Sequence, residues 1–179
     1  MKIINMTTLT ADQLEAAALL LHESLPIGWP TLEDAREELR DRLIPENTYL
    51  AAIEDGQVLG FGGLLPQYDG HVFELHPLAV REDQRGKGIG RAIVAALEEE
   101  AVKQGGLTLW LGADDEIEGG ETSLANTDLY DDLLGKIRDF DPGTHQTAFY
   151  LKVGFQVVGV MPDADGPGKP DIYMAKKLR

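Results

Sequence analysis

Gln84-Arg85-Gly86-Lys87-Gly88-Ile89-Gly90-Arg91 is the stretch on which the reading of this chain turns. An apolar run, Val72–Val80 (VFELHPLAV), precedes it. An apolar-periodic stretch over 88–104 follows, with Ile89, Ile93, Val94, Leu97 and Ala101 on one helical stripe. Glycines between a strand and a helix let backbone N–H groups approach a ligand closely. The helix N-terminus adds partial positive charge, so the loop is predicted to bind phosphate. Arg81, Arg85, Lys87 and Arg91 put four cations into the eleven residues 81–91, whereas the whole chain carries 31 Asp+Glu against 16 Lys+Arg, a net charge of −15. That local reversal points to an anionic cofactor; a solvated basic turn is the plainer alternative. The spacing departs from a G-x-G-x-x-G fingerprint with an acidic ribose partner, so a dinucleotide fits less well.

Outward from the loop, the pattern predicts a strand over 2–6 and a helix over Ala11–Ser24 capped by Thr10. A second helix runs from a Thr31 cap to about Leu43. Runs at 49–54 and 57–65 flank Asp55-Gly56, a hairpin signal. Downstream come a strand over 107–111, an acidic loop over 113–127 and a short helix within 128–140. A helix capped by Thr144 ends at Val153 with Gly154 as its terminator, and strands at 155–161 and 171–176 close the chain. No repeat or linker divides it, so a single domain over 1–179 is expected, in the α/β (α+β) class, with a mixed twisted sheet of six or seven strands flanked by helices.

The inventory removes several chemistries. With no cysteine there is neither a disulfide framework nor a thiolate nucleophile. Ser24 and Ser123 stand outside any G-x-S-x-G elbow, and the four histidines form no H-E-x-x-H pair, so no metal is expected. Direct transfer between two bound substrates is the chemistry left. The acidic balance disfavours nucleic acid and anionic membrane as partners and favours cations. No stretch approaches the ~20 apolar residues of a membrane span, and residues 1–6 turn polar too soon for a signal peptide; a cytoplasmic protein is expected.

Arg85-x-x-Gly88-x-Gly90, between Leu78-Ala79-Val80 and an amphipathic helix, resembles the acetyl-CoA loop of the GNAT acetyltransferase superfamily. Ala148-Phe149-Tyr150-Leu151-Lys152-Val153-Gly154-Phe155 resembles its second motif. The resemblance implies acetyl-CoA as cofactor. Its pyrophosphate would lie on Arg85, Gly86, Lys87, Gly88, Ile89, Gly90 and Arg91, and its pantetheine between splayed parallel strands at Val72–Val80 and 107–112, beside Leu78, Ala79, Val80 and Tyr150. Pro77 independently marks an edge or a bulge, and a bulge would free an amide such as that of Leu78 to stabilise an oxyanion.

By period 2, Glu74, His76, Leu78 and Val80 share one strand face. Glu74 is the candidate general base for an attacking ammonium; a salt-bridged strand carboxylate fits the same spacing. His76 is a second candidate base or a structural hydrogen bonder. Tyr150 is the candidate acid for the departing thiolate, or a helix residue packed on the sheet. Between Asp114 and Asp141 stand ten acidic and two basic residues, which read either as a solvated loop or as a lining for a cationic acceptor.

The blocks Leu65-Pro66-Gln67-Tyr68, Glu74-Leu75-His76-Pro77-Leu78, Gly112-Ala113-Asp114-Asp115, Thr127-Asp128-Leu129-Tyr130 and the stretch from Lys169-Pro170-Asp171-Ile172 to Lys176 are similar to the aminoglycoside 6′-N-acetyltransferase branch of the superfamily. That similarity implies acetyl transfer to an aminoglycoside 6′-amine, an acceptor cleft using Trp29, Tyr68, Glu74, Asp114, Asp115 and Glu116, and a homodimer. Either Pro26 or Trp29-Pro30 is the counterpart of the branch's Trp-Pro. Charge does not choose among aminoglycosides, polyamines and peptide amines, and a non-catalytic acyl-CoA or cation sensor is the alternative from outside enzymology.

Overall fold

Two threonines start the first two helices. Thr10 caps α1 (Ala11–Ser24) and Thr31 caps α2 (Leu32–Arg42), each in a reciprocal capping box, with Gln13 and Asp34 reaching back to the cap amide. The computed structural model describes all 179 residues. The strands are β1 (Lys2–Asn5), β2 (Thr48–Glu54), β3 (Gln57–Gln67), β4 (Val72–Val80), β5 (Thr108–Asp114), β6 (Gln156–Met161) and β7 (Asp171–Lys177). The remaining helices are α3 (Ile89–Lys103), α4 (Leu133–Arg138) and α5 (Thr147–Lys152). The strands form one mixed sheet in the order β1-β2-β3-β4-β5-β7-β6, flanked by helices. The chain divides into two compact units, Met1–Leu109 with Leu178–Arg179, and Trp110–Lys177.

In the first unit β1 to β4 form an antiparallel meander. Asp55 and Gly56 both take positive φ (50° and 79°), the two-residue turn whose twist matches the flanking strands. β3 is buried along eight consecutive residues because both its faces are covered. On one face Tyr49, Phe61, Leu65 and Ala79 join the α1–α2 core with Ala17, Leu21, Ala35 and Leu39. On the other, glycines 60 and 62 let α3 close in: a Cβ on Gly62 would come within about 3 Å of Leu97 and Ile93.

The pairing of β3 with β4 slips where Pro77 sits. Gly62 faces Leu78, but Leu64 faces Leu75, so β4 carries one extra residue there. Pro77 therefore marks a bulge, as its missing N–H suggests. The bulge corrects the period-2 expectation. Glu74 pairs with Leu65 of the α1–α2 core, and His76 lies against Trp29 and Glu38 on the same side. Leu78 and Val80 instead border Gly62 and Gly60 on the α3 side. The four residues thus divide between two faces, because an inserted residue reverses the alternation.

Gly63 lies beside this bulge. A Cβ there would overlap the His76 carbonyl oxygen and the Tyr49 ring, whose hydroxyl donates to that same oxygen at 3.1 Å. Gly63→Ala is expected to destabilise the protein by about 1–3 kcal/mol through overpacking, read as a lowered midpoint in urea; an unchanged midpoint would show that the bulge yields freely.

The second unit departs from expectation at two helix starts. Thr144 does not cap α5, because its hydroxyl donates to Glu121 at 2.9 Å; the helix begins at Thr147 after an uncapped Gln146. The helix sought within 128–140 shrinks to α4. Asp128 draws the Tyr130 amide into a turn, and Asp132, at φ 53°, caps α4 by accepting from the Gly135 amide. Gly154 terminates α5 at φ 98°, as predicted.

Candidate active site

The loop before α3 combines left-handed glycines, open space and uncapped amides. Gly86 and Gly88 take φ of 76° and 84°, and a Cβ on either would meet nothing within 4 Å. Gly88 is the N-cap of the 15-residue α3 and supplies no capping side chain, so the first-turn amides of Ile89 and Gly90 have no intrahelical acceptor. Arg91 follows in the same turn. Arg85 donates to the Val80 carbonyl at 3.2 Å, and Lys87 to Gln84 at 3.0 Å, which holds both cations at the loop. Arg81 differs from Arg85 and Lys87. Its guanidinium binds both oxygens of Asp83 (2.6 and 2.8 Å) and holds that carboxyl down at about 2, so Arg81's charge is already compensated. Open space, left-handed glycines and uncapped amides together fit a diphosphate.

The carboxylate of Glu74 accepts a 2.6 Å hydrogen bond from the Gln67 amide at the far end of the hairpin, which fixes its direction. His76, on the same face, packs its ring on Trp29 at 5.6 Å, with Glu38 3.7 Å from its Nε2. Trp29 is held in turn by His22 Nδ1 at its carbonyl, 2.8 Å away. Trp29, left undecided against Pro26 in the sequence, thus lies beside the candidate base strand. Tyr68 is 76% exposed at φ 48°, at the turn directly after Gln67. Leu78 and Val80 are half-buried, and Ala79 is fully buried.

The acidic stretch of the second unit is ordered by its own hydrogen bonds. Asp115, expected to line an acceptor cleft, is fully buried, and its oxygens accept from the Glu121 amide (2.9 Å) and the Thr122 amide (2.8 Å). Its carboxylate braces the loop. Asp114 is solvent-accessible and stands among like charges. Partial burial, then Asp171 and Asp165, push its carboxyl up to about 7. Burial and Asp165 raise Glu116 too, against the pull of Lys169. Asp171 also accepts from the Ala113 amide at 2.9 Å. Tyr150 is 7% exposed, edge-to-face with Phe149 and Phe155 at 5.2 and 5.6 Å; burial raises its phenol, which keeps its proton.

Gln67, Glu38, Asp165 and Asp171 had no assigned role in the sequence. Gln67 and Asp171 lie inside quoted blocks that carried a signal; Glu38 and Asp165 have no local pattern that marks them.

A model of the acetyltransferase (GNAT) family matches residues 14–120. The chain is a GNAT-family acetyltransferase. No curated protein sequence matches this GNAT chain significantly. Among solved structures it is similar to an aminoglycoside 6′-N-acetyltransferase complexed with coenzyme A, at 35% identity and TM-score 0.92, covering 100% of this chain and 98% of that one. It is similar to the aminoglycoside 6′-N-acetyltransferase from Enterococcus faecium at 34% identity and TM-score 0.91, with the same coverage. An aminoglycoside 6′-acetyltransferase type Ii matches at 30% identity and TM-score 0.78, again over 100% and 98%. The expected superfamily, fold class and enzymatic activity stand, and acetyl-CoA is the acyl donor of GNAT enzymes.

Proposed function

We propose that this acetyltransferase moves an acetyl group from acetyl-CoA to the 6′-amine of an aminoglycoside, as one catalytic domain over 1–179. The observation that carries the proposal is 35% identity over the whole chain to an enzyme of that description. The solvent-accessible Asp114 beside Asp165, Asp171 and Glu116 supports it, because an aminoglycoside is a polycation.

Bound acetyl-CoA supplies an acyl group activated as a thioester. Arg85, Lys87, Arg91 and the amides from Gly86 to Gly90 hold the diphosphate, with the backbone of Leu78, Ala79 and Val80 alongside. Glu74 takes a proton from the acceptor ammonium, directly or through water, so that the nitrogen lone pair forms the new bond to carbon as the carbon–sulfur bond breaks. The Leu78 amide faces the charge that develops on the acyl oxygen. Tyr150, whose burial holds its proton, gives that proton to the departing sulfur and regains one from the nitrogen, which sheds a second proton on becoming an amide, so that coenzyme A leaves as the thiol. His76, stacked on Trp29, helps shape the acceptor side with Tyr68, Asp114 and Glu116. Asp115 serves by bracing the loop. The working assembly is a homodimer in the cytoplasm, where acetyl-CoA is available, and nucleic acid is no partner of so acidic a chain. No helix is long and apolar enough to cross a membrane.

Steady-state transfer to kanamycin, spermidine and a peptide with a free N-terminus tests the acceptor. The highest kcat/KM is expected for kanamycin; a preference for either of the others overturns the aminoglycoside assignment.

The raised Asp114 carboxyl gives the acceptor a pH signature. Below about pH 7 this group is neutral in the folded protein and attracts a cation weakly. Above it the carboxylate is free, so cation binding displaces a proton at low pH and none at high pH. The acceptor KM is therefore expected to fall from pH 6 to pH 8, and Asp114→Asn to flatten that fall. The same raised value works against the fold: the stability contributed by the bound proton is complete below the ordinary value of 3.8 and lost as the pH rises through about 7. An identical KM profile in wild type and Asp114→Asn would remove Asp114 from the acceptor site.

A further inference from the structure

His145 is nine-tenths buried and takes no part in the chemistry above. Its imidazole bridges the end of β5 and the start of α5. Nε2 lies 3.1 Å from the Asp114 carbonyl oxygen, and Nδ1 lies 3.2 Å from the Thr147 hydroxyl and 3.5 Å from the Thr147 amide. The partners fix the tautomer. A carbonyl only accepts and an amide N–H only donates, so the proton sits on Nε2 and the Nδ1 lone pair receives Thr147. Thr147 is fully buried and opens α5, three residues ahead of Tyr150 on the same helix face.

The other end of the peptide that His145 grips is also held. The Asp115 amide donates to the Pro170 carbonyl at 2.9 Å, so the plane between Asp114 and Asp115 is fastened on both edges. The Asp115 carboxylate then ties the loop beyond through Glu121 and Thr122, and Thr144, next to His145, donates to Glu121. The bonds of His145 and of Asp115 converge on the segment that ends β5.

We propose that His145 is a positioning residue for acetyl transfer, a strut that locks the Asp114–Asp115 peptide to the first turn of the Tyr150 helix and so holds the acceptor-facing carboxylate and the phenol in a fixed relation. The proposal rests on the acceptor and acid roles given to Asp114 and Tyr150 above. Small displacements of such groups are costly, since about 1 Å of misplacement lowers turnover by ~10²-fold.

The test compares His145→Phe, which fills the space and makes neither bond, with His145→Gln, whose amide can donate to the Asp114 carbonyl and accept from Thr147. His145→Phe is expected to lower kcat/KM for the best amine of the panel by ~10²-fold while the coenzyme's dissociation constant stays near the wild-type value. His145→Gln is expected to recover most of the loss. Should His145→Phe fail to fold, Thr147→Val removes the hydroxyl bond alone and is expected to show a smaller loss on the acceptor side only. A loss confined to thermal stability, a loss shared equally by coenzyme binding, or a glutamine variant as impaired as phenylalanine each overturns the proposal. Amide exchange over residues 112–116 and 147–152 separates the strut from the reading it rests on. Where kanamycin is no substrate, the aminoglycoside assignment falls, but faster exchange of both segments in His145→Phe and not in His145→Gln upholds the strut; unchanged exchange overturns it.

Discussion

Glu74→Gln is expected to lower kcat by ~10²–10⁴-fold with coenzyme affinity unchanged. The substitution keeps the shape of the side chain and keeps an oxygen for the Gln67 amide, which donates to Glu74 at 2.6 Å in the native protein. Neither the hairpin end nor the bulge below it loses a contact. What disappears is the carboxylate to which we assign the ammonium's proton, and without that step the nitrogen has no lone pair to attack with. Stopped reactions followed by thiol release give kcat; calorimetry with coenzyme A gives the affinity. Near-normal turnover with intact coenzyme binding would assign Glu74 to structure alone, as one end of the Gln67 pair.

Gly88→Val is expected to abolish coenzyme binding. Gly88 adopts φ 84°, a conformation that a β-branched residue strongly resists. The protein itself offers no obstacle to the new side chain, since nothing lies within 4 Å of a Cβ at this position. The added atoms therefore project into the space that the diphosphate needs, and the strained cap turns the first amides of α3 aside. Gly88→Asn separates the two effects, because asparagine tolerates the left-handed region yet still fills the space. If space decides, both variants lose coenzyme by calorimetry; if backbone strain decides, asparagine binds. Unchanged affinity in the valine variant would take the diphosphate away from this loop.

Much of the fold is legible because its signals are local. Thr10 and Thr31 announce their helices through hydroxyls that bond to amides three residues on, and Asp55-Gly56 announces its hairpin through two positive φ values. The bounds of β4 and the loop from Gln84 to Arg91 follow from the same short-range chemistry. Where the sequence misleads, the deciding partner is distant. Thr144 looks like a cap, but Glu121 takes its hydroxyl. Asp115 looks like a surface carboxylate, but amides six and seven residues away enclose it. Asp165 sits in a Gly/Pro/Asp loop with nothing to mark it, and only the fold brings it to Asp114. The facing of Glu74 relative to Leu78 is the instructive case. Pro77 signals that the ladder is interrupted, yet period 2 alone does not tell how many residues the interruption adds.

That single surplus residue has an evolutionary consequence. Upstream of it, Glu74 and His76 face the α1–α2 layer; downstream, Leu78 and Val80, two and four residues further on, face α3. Substitutions at His76 alter the side shared with Trp29 and Glu38 without disturbing the residues that border α3, and drift along Leu78 and Val80 leaves that side untouched. Alternate positions of one strand thereby answer to two different layers, and each set is free to vary without the other.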